Sequence, residues 1–161
     1  MNTIRLASLA LMILAVSCRD ATGPEHQIKQ LDAARQRWRA QNLHTYAFTL
    51  QRSCYCLNVN PLYVAVLSDT VVGALDLETG EYVDRKLGET VDGLFSFVEH
   101  AIANRAHLIR VVYDPEQGFP TEIDYDGVAQ AADDEIFYRV SNVHVIAPQL
   151  AMGSRVSFSG R

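Results

Sequence analysis

His44-Thr45-Tyr46-Ala47-Phe48-Thr49-Leu50-Gln51-Arg52-Ser53-Cys54-Tyr55-Cys56 is the stretch on which the fold turns. Tyr46, Phe48 and Leu50 alternate with Thr45, Thr49 and Gln51, and a period of two marks a strand with one buried face. The same parity carries Arg52, Cys54 and Cys56 to the apolar side and turns Tyr55 outward. Immediately upstream the period is helical: Ile28, Leu31, Ala34 and Trp38 share one face, with Lys29, Asp32, Arg35 and Arg39 elsewhere. Thr22 and Glu25 have capping-box spacing, and Pro24 suits a first turn. The spacing therefore predicts an amphipathic helix ending near Gln41, with Trp38 as its core anchor.

Downstream, Asn58, Asn60 and Pro61 interrupt the strand pattern. Leu62 to Ser68 reads as a second strand, Asp69-Thr70 as a tight turn and Val71 to Leu77 as a third strand. Glu78-Thr79-Gly80-Glu81 is another turn, followed by a short strand at Tyr82-Val83. A second helix opens at Thr90 and runs to about Asn104, its stripe set by Val91, Leu94, Phe95, Val98 and Ile102. Strands follow at His107 to Tyr113, about Pro120 to Tyr125, and Ile136 to Ile146. The expected fold class is α+β, an antiparallel β-sheet with two α-helices packed on one face, in the order α-β-β-β-α-β-β-β.

The first residues read differently. Arg5 precedes an apolar run from Leu6 to Val16, which is shorter than the roughly 20 residues a spanning helix needs. A positive flank, a short apolar centre and small residues at the end describe a secretory signal. Ala15-Val16-Ser17-Cys18 resembles the lipobox of bacterial lipoproteins, with Ala15 where that family usually has leucine and Leu14 one place upstream. The resemblance implies that Cys18 is lipidated and becomes the first mature residue. An ordinary signal cut nearby and an uncleaved helical anchor remain open. The expected organisation is 1–17 signal peptide, 18–24 lipidated cysteine and tether, 25–147 a single α+β domain, and 148–161 a tail with little core signal. Arg19, rather than aspartate, after the cysteine points to the periplasmic face of the outer membrane, by resemblance to enterobacterial sorting. Acyl chains at about 0.8 kcal/mol per buried methylene would hold such a protein on a membrane surface.

The 161-residue chain carries 14 Lys and Arg against 19 Asp and Glu, a net charge of −5. With no basic stripe, nucleic acid is not an expected partner, and membrane contact is expected from the anchor alone. If Cys18 is lipidated, Cys54 and Cys56 are the two cysteines left in an oxidising compartment, so a disulfide is the leading expectation. Positions two apart on a strand are about 6.6 Å apart, near the upper limit of about 6.8 Å for a bridge, so a kink is required there. Free buried thiols are the first alternative. Copper or zinc is the second, although thiolates suit those metals only with further ligands, and His44, His100, His107 and His144 are scattered over separate elements.

The most distinctive stretch is Tyr113-Asp114-Pro115-Glu116-Gln117-Gly118-Phe119-Pro120-Thr121-Glu122-Ile123, a turn leading into an edge strand. Asp124, Asp126-Gly127 and Asp133-Asp134-Glu135 follow. Candidate binding residues are Asp114, Phe119, Asp126, Asp133, Asp134 and Glu135. Calcium takes six to eight oxygens, but the spacing is not that of an EF-hand loop, and a solvated hairpin edge is the plainer reading. No metal site and no cofactor are assigned. No Gly-x-Ser-x-Gly elbow or Gly-rich phosphate loop is present, and no catalytic residue is assigned.

These features together resemble a bacterial lipoprotein domain family of unknown function. The match rests on Tyr46-x-Phe48-x-Leu50 running into Cys54-x-Cys56, and on Thr90-Val91-Asp92 before Leu94-Phe95. It continues through Tyr113-Asp114-Pro115, Gly118-Phe119-Pro120-Thr121, Asp126, and Asp133-Asp134-Glu135 with Tyr138, covering about residues 45 to 140. The resemblance implies an intact domain and a compartment, and no activity or ligand. The expected function is a membrane-anchored envelope lipoprotein, non-enzymatic, binding a partner protein or small ligand through its free sheet face or the Asp114–Pro120 loop. The alternative is redox or metal handling at Cys54-x-Cys56. Hydrolysis would require a pocket joining Asp114 or Asp126 to the Asp133–Glu135 group.

Overall fold

The computed structural model describes residues 23–56, 60–131 and 133–147. The leader, Cys18, most of the tether and the 148–161 tail lie outside the described residues.

Helix α1 spans Pro24–Ala40. Gly23, not Thr22, occupies its N-cap and no side chain caps it, so a capping box does not start this helix. Pro24 makes that tolerable, because its missing N–H removes one of the unpaired donors at a helix start. Leu31, Ala34 and Trp38 are buried as the periodicity predicts, but Ile28 is 45% exposed. The inward position one turn before Leu31 belongs to Gln27, whose amide donates to the Ile109 carbonyl at 3.0 Å.

The strands are β1 (Thr45–Cys54), β2 (Leu62–Leu67), β3 (Thr70–Asp76), β4 (Tyr82–Val83), β5 (Leu108–Tyr113), β6 (Pro120–Asp126) and β7 (Ile136–Val145). Helix α2 spans Val91–Ala103 between β4 and β5, after a single 3-10 turn at Arg85–Leu87. The strands form one antiparallel sheet ordered β4-β3-β2-β1-β7-β6-β5. The β2–β3 turn is Ser68-Asp69, one residue earlier than the sequence suggests, with φ of 48° and 61°. Two left-handed residues match the twist of a two-residue hairpin, and Leu67 pairs with Thr70 directly across it.

Both helices pack on one face. Leu31, Trp38, Leu94, Phe95 and Val98 share a core with Tyr46, Phe48, Val64 and Ile123 from the sheet. Trp38 stands edge-on to Tyr46 at 5.2 Å and to Phe119 at 6.3 Å between ring centroids. Thr90 caps α2 by accepting from Gly93 N–H at 2.9 Å. The Tyr46 hydroxyl accepts from Val91 N–H at 3.1 Å, fastening the start of α2 to β1. Burial pushes the Tyr46 phenol well above its usual range, against the opposing pull of that backbone bond.

The other sheet face is divided. Over β1 and β2, Ala47, Ala65 and Ile146 form a small apolar cluster flanked by Tyr63, Leu67 and Val72. Over β5–β7 the face is charged, with Arg139 3.1 Å from Glu122 and Arg110 3.6 Å from Asp124.

Candidate functional site

The Asp114–Pro120 loop joins β5 to β6 and is built from its own backbone. The Asp114 carboxylate accepts from Glu116 and Gln117 N–H at 2.9 and 2.6 Å, an Asx turn of the kind aspartate favours. Asp114 N–H donates to the Phe119 carbonyl at 2.8 Å, and Gly118 N–H to the Asp114 carbonyl at 3.0 Å. Gly118 has φ of +87°, and a Cβ there would run into the Ala34 carbonyl and stand 2.7 Å from Arg37 Cβ. The loop is therefore seated on α1. Phe119 is only 6% exposed, inside the core beside Trp38. Of the expected binding residues, Phe119 lies in the core, and Asp114 is half-buried with its carboxylate holding the turn.

The acidic residues gather at the opposite end of β6. Asp124, Asp126, Asp133 and Glu135 line a pocket of about 530 Å³ together with Cys54 and Tyr55. Register explains the gathering: Cys54 and Tyr125 both pair with Ile136, the first residue of β7. Asp134 lies alongside; one of its carboxylate oxygens and the Tyr125 hydroxyl each stand 2.6 Å from where a Cβ on Gly127 would be. The Oδ1 atoms of Asp126 and Asp134 are buried without a hydrogen-bond partner among the described residues. Asp126 Oδ2 is 3.9 Å from His107 Nε2. Among the described residues no group of three or more His, Cys, Asp or Glu is placed to hold a metal ion. The pocket thus joins Asp126 to Asp133 and Glu135, while Asp114 sits the length of β6 away, about 20 Å at 3.3 Å per residue. Such a concentration of carboxylates favours cations over anions as visitors.

Cys54 ends β1, and the chain bends at Tyr55 and Cys56. The bend brings the two cysteine sulfurs against each other, with Cα atoms 5.2 Å apart. It also ends the strand parity, so Cys56 is exposed instead of lying on the apolar side.

A second cavity was not legible as a motif. It is a groove of about 580 Å³ between the first turns of α1, the end of α2 and strand β5, within the range of about 300–1,000 Å³ typical of small-molecule sites. The helices meet at their other ends, where Trp38 Nε1 donates to Asp92 at 3.3 Å and Arg35 pairs with Glu99 at 2.9 Å. Toward Pro24 and Arg105 the small side chains of Ala101 and Ala106, with Gln27 in place of an inward apolar residue, leave a gap. Val98, Ile102 and Ile109 form its floor. Tyr113 closes one side, its phenol pushed up by burial despite the opposing pull of Arg35. Arg105 stands on the rim; His107 and Arg110 also border the groove, but their side chains reach Asp126 and Asp124, the latter on the other sheet face.

Residues 30–145 match the model of a Family of unknown function (DUF6174). No curated protein and no solved structure matches the chain. The chain belongs to the DUF6174 family.

Proposed function

We propose that this DUF6174 protein is an exported, non-enzymatic binding domain, anchored through lipid on Cys18 and using the groove between α1, α2 and β5 as its working surface. The observation that carries the reading is the groove itself, an apolar floor with a polar rim that begins at Pro24. Five residues lie between Cys18 and Pro24, six steps along the chain, and a fully extended chain spans at most about 3.6 Å per residue. A lipidated Cys18 therefore keeps the groove within about 20 Å of a bilayer surface. The leader's short apolar run, the small residues before Cys18 and Arg19 after it support the cell envelope, at the periplasmic face of the outer membrane, as the address. The ligand or envelope partner then comes from the membrane or its immediate vicinity.

The anchor is tested by expressing the full chain in a bacterial host, fractionating the cells and weighing the mature N-terminus. Acylated Cys18 in the membrane fraction is expected, and a Cys18→Ala chain is expected to lose both the added mass and the membrane recovery. A bare thiol on soluble protein would remove the anchor from the reading.

A redox or metal role at Cys54 and Cys56 is favoured by one feature, the exposure of Cys56 next to Cys54, which lines the acidic pocket. Copper or zinc retained by purified protein, or thiols that cycle with mild reductant, would support that role; inert thiols and metal-free protein would end it.

A further inference from the structure

We propose that the segment after β7, Leu150 to Phe158, lies on the sheet face away from the helices and covers the apolar patch on β1, β2 and β3. The inference depends neither on the groove nor on the anchor.

The patch is the first observation. Ala47 pairs with Ala65, and Ala65 with Gly73, so small residues stand side by side across β1, β2 and β3. Tyr63, Leu67 and Val72 flank them, and Leu75, the partner of Tyr63, extends the surface along β3. These four side chains are partly exposed. Among the described residues nothing lies within 4 Å of a Cβ built on Gly73, so the strands are open there. The chain's path is the second observation. Ile146 lies one residue beyond β7, yet it is 8% exposed and clusters with Ala47 and Ala65. The last apolar side chain before the tail therefore already sits on the patch.

The sequence of the tail is the third. Counting by twos from Ile146 gives Pro148, Leu150, Met152, Ser154, Val156 and Phe158, with Ala147, Gln149, Ala151, Gly153, Arg155 and Ser157 between them. An extended chain keeps alternate positions on one side, so the apolar set follows Ile146 onto the sheet and Arg155 falls on the solvent side. Pro148 also biases Ala147 toward extended backbone. At about 3.3 Å per residue, Leu150 and Met152 stand about 13 and 20 Å beyond Ile146, and β3 is three strand spacings from β7, about 14 Å. Gly153-Ser154 offers a turn that keeps Val156 and Phe158 over the same strands. A second copy is the competing occupant, because exposed apolar patches mark association sites. Tethering favours the tail: a segment joined to the patch through Ile146 meets it at an effective concentration on the order of millimolar.

The experiment uses the full chain and follows trypsin cleavage after Arg155 by mass spectrometry, at protease levels that leave the sheet uncut. Gly73→Glu sets a charge in the middle of the patch. Val112→Glu is the control, adding the same charge over β5, where Val112 is 49% exposed. Gly73→Glu should speed the cut about tenfold, roughly what losing the burial of one apolar side chain would do, and Val112→Glu should leave the rate unchanged. A chain with Leu150→Ser and Met152→Ser, which alters no residue of the sheet, should be cut as fast as Gly73→Glu. Benzoylphenylalanine in place of Leu150 should cross-link, within one molecule, to the stretch from Tyr63 to Leu75. Equal cleavage rates for the wild-type, Gly73→Glu and Leu150→Ser, Met152→Ser chains would overturn the docking. Cross-links that fall away from β1–β3 would do the same, and links joining two molecules would give the patch to a second copy instead.

Discussion

Replacing Gly118 with alanine isolates the contact that holds the β5–β6 loop on α1. Two effects act against the methyl group. A left-handed backbone costs a non-glycine residue about 1–2 kcal/mol, and φ at Gly118 is +87°. The added Cβ would also meet the Ala34 carbonyl, Arg37 Cβ at 2.7 Å and Trp38 N at 3.0 Å. Two of those three are backbone atoms of a helix and cannot rotate aside, so overpacking adds about 1–3 kcal/mol. Gly80 supplies the control, because its φ is +73° and nothing lies within 4 Å of a Cβ built there. Gly80→Ala should cost only the backbone strain, about 1–2 kcal/mol, and Gly118→Ala about 2–5 kcal/mol. At roughly 2–4 °C per kcal/mol for a protein near this size, Gly118→Ala should melt several degrees below Gly80→Ala in circular dichroism of the full chain. Equal melting temperatures for the two variants would refute the seating of the loop on α1.

Protein purified without reductant should titrate no free thiol at Cys54 and Cys56 until reductant is added and two afterwards, counted by mass after alkylation; two reactive thiols without reductant would exclude the bridge. Asp76 is nearly buried and accepts from Glu78 and Thr79 N–H and the Asn60 amide at 2.8–3.0 Å. The Thr79 N–H bond leads the others in holding its carboxyl below the ordinary value of 3.8, against the contrary effect of desolvation. Its stabilising contribution is thus complete above that value and lost as pH falls below it, so Asp76→Asn should flatten the acid limb of a plot of melting temperature against pH; an unchanged limb would disprove the assignment. Burial raises the Tyr46, Tyr113 and Tyr138 phenols, so the stability tied to their protonated forms is present below pH about 10 and declines as pH rises further. Tyr46→Phe should cost about 1–2 kcal/mol at neutral pH by leaving Val91 N–H without its partner, read from urea unfolding, and no measurable loss would show that bond to be dispensable.

The fold was legible wherever a periodic pattern met an unambiguous breaker. The alternation from Tyr46 to Leu50 and the stripe from Val91 to Ile102 both became the core faces they describe, and α2 begins at the Thr90 cap. Reading failed where the deciding partner was distant. Ile28 fits the helical stripe as well as Leu31 does, but only the position of β5 decides that Gln27 faces inward. The Ser68-Asp69 turn carries no glycine, so its left-handed backbone left no local mark. Phe119 sits in a stretch rich in turn residues, and its burial depends on α1, many residues away in sequence. For the same reason the acidic residues could be named but not grouped with Cys54, because strand register alone brings them together. The groove has no motif at all. It arises from the absence of bulk at Ala101 and Ala106, and small residues in a helix or after it look the same whether space is left beside them or not.

The strand order has a consequence for how the chain is completed. Strands β1–β4 are linked in sequence through adjacent antiparallel pairs, as are β5–β7, and the two groups meet along β1 and β7. The middle of the sheet is thus sewn from its first and last strands, from Tyr46 against Val145 to Cys54 against Ile136. A chain emerging amino end first offers β1 a neighbour on one side long before the other exists. Its unpaired edge of backbone N–H and C=O groups, next to the apolar face of Tyr46, Phe48 and Leu50, is a template for the wrong partner in the interim. Loss of even the last few residues of β7 should therefore show itself as protein that clumps during synthesis, well before it shows as a lowered melting point.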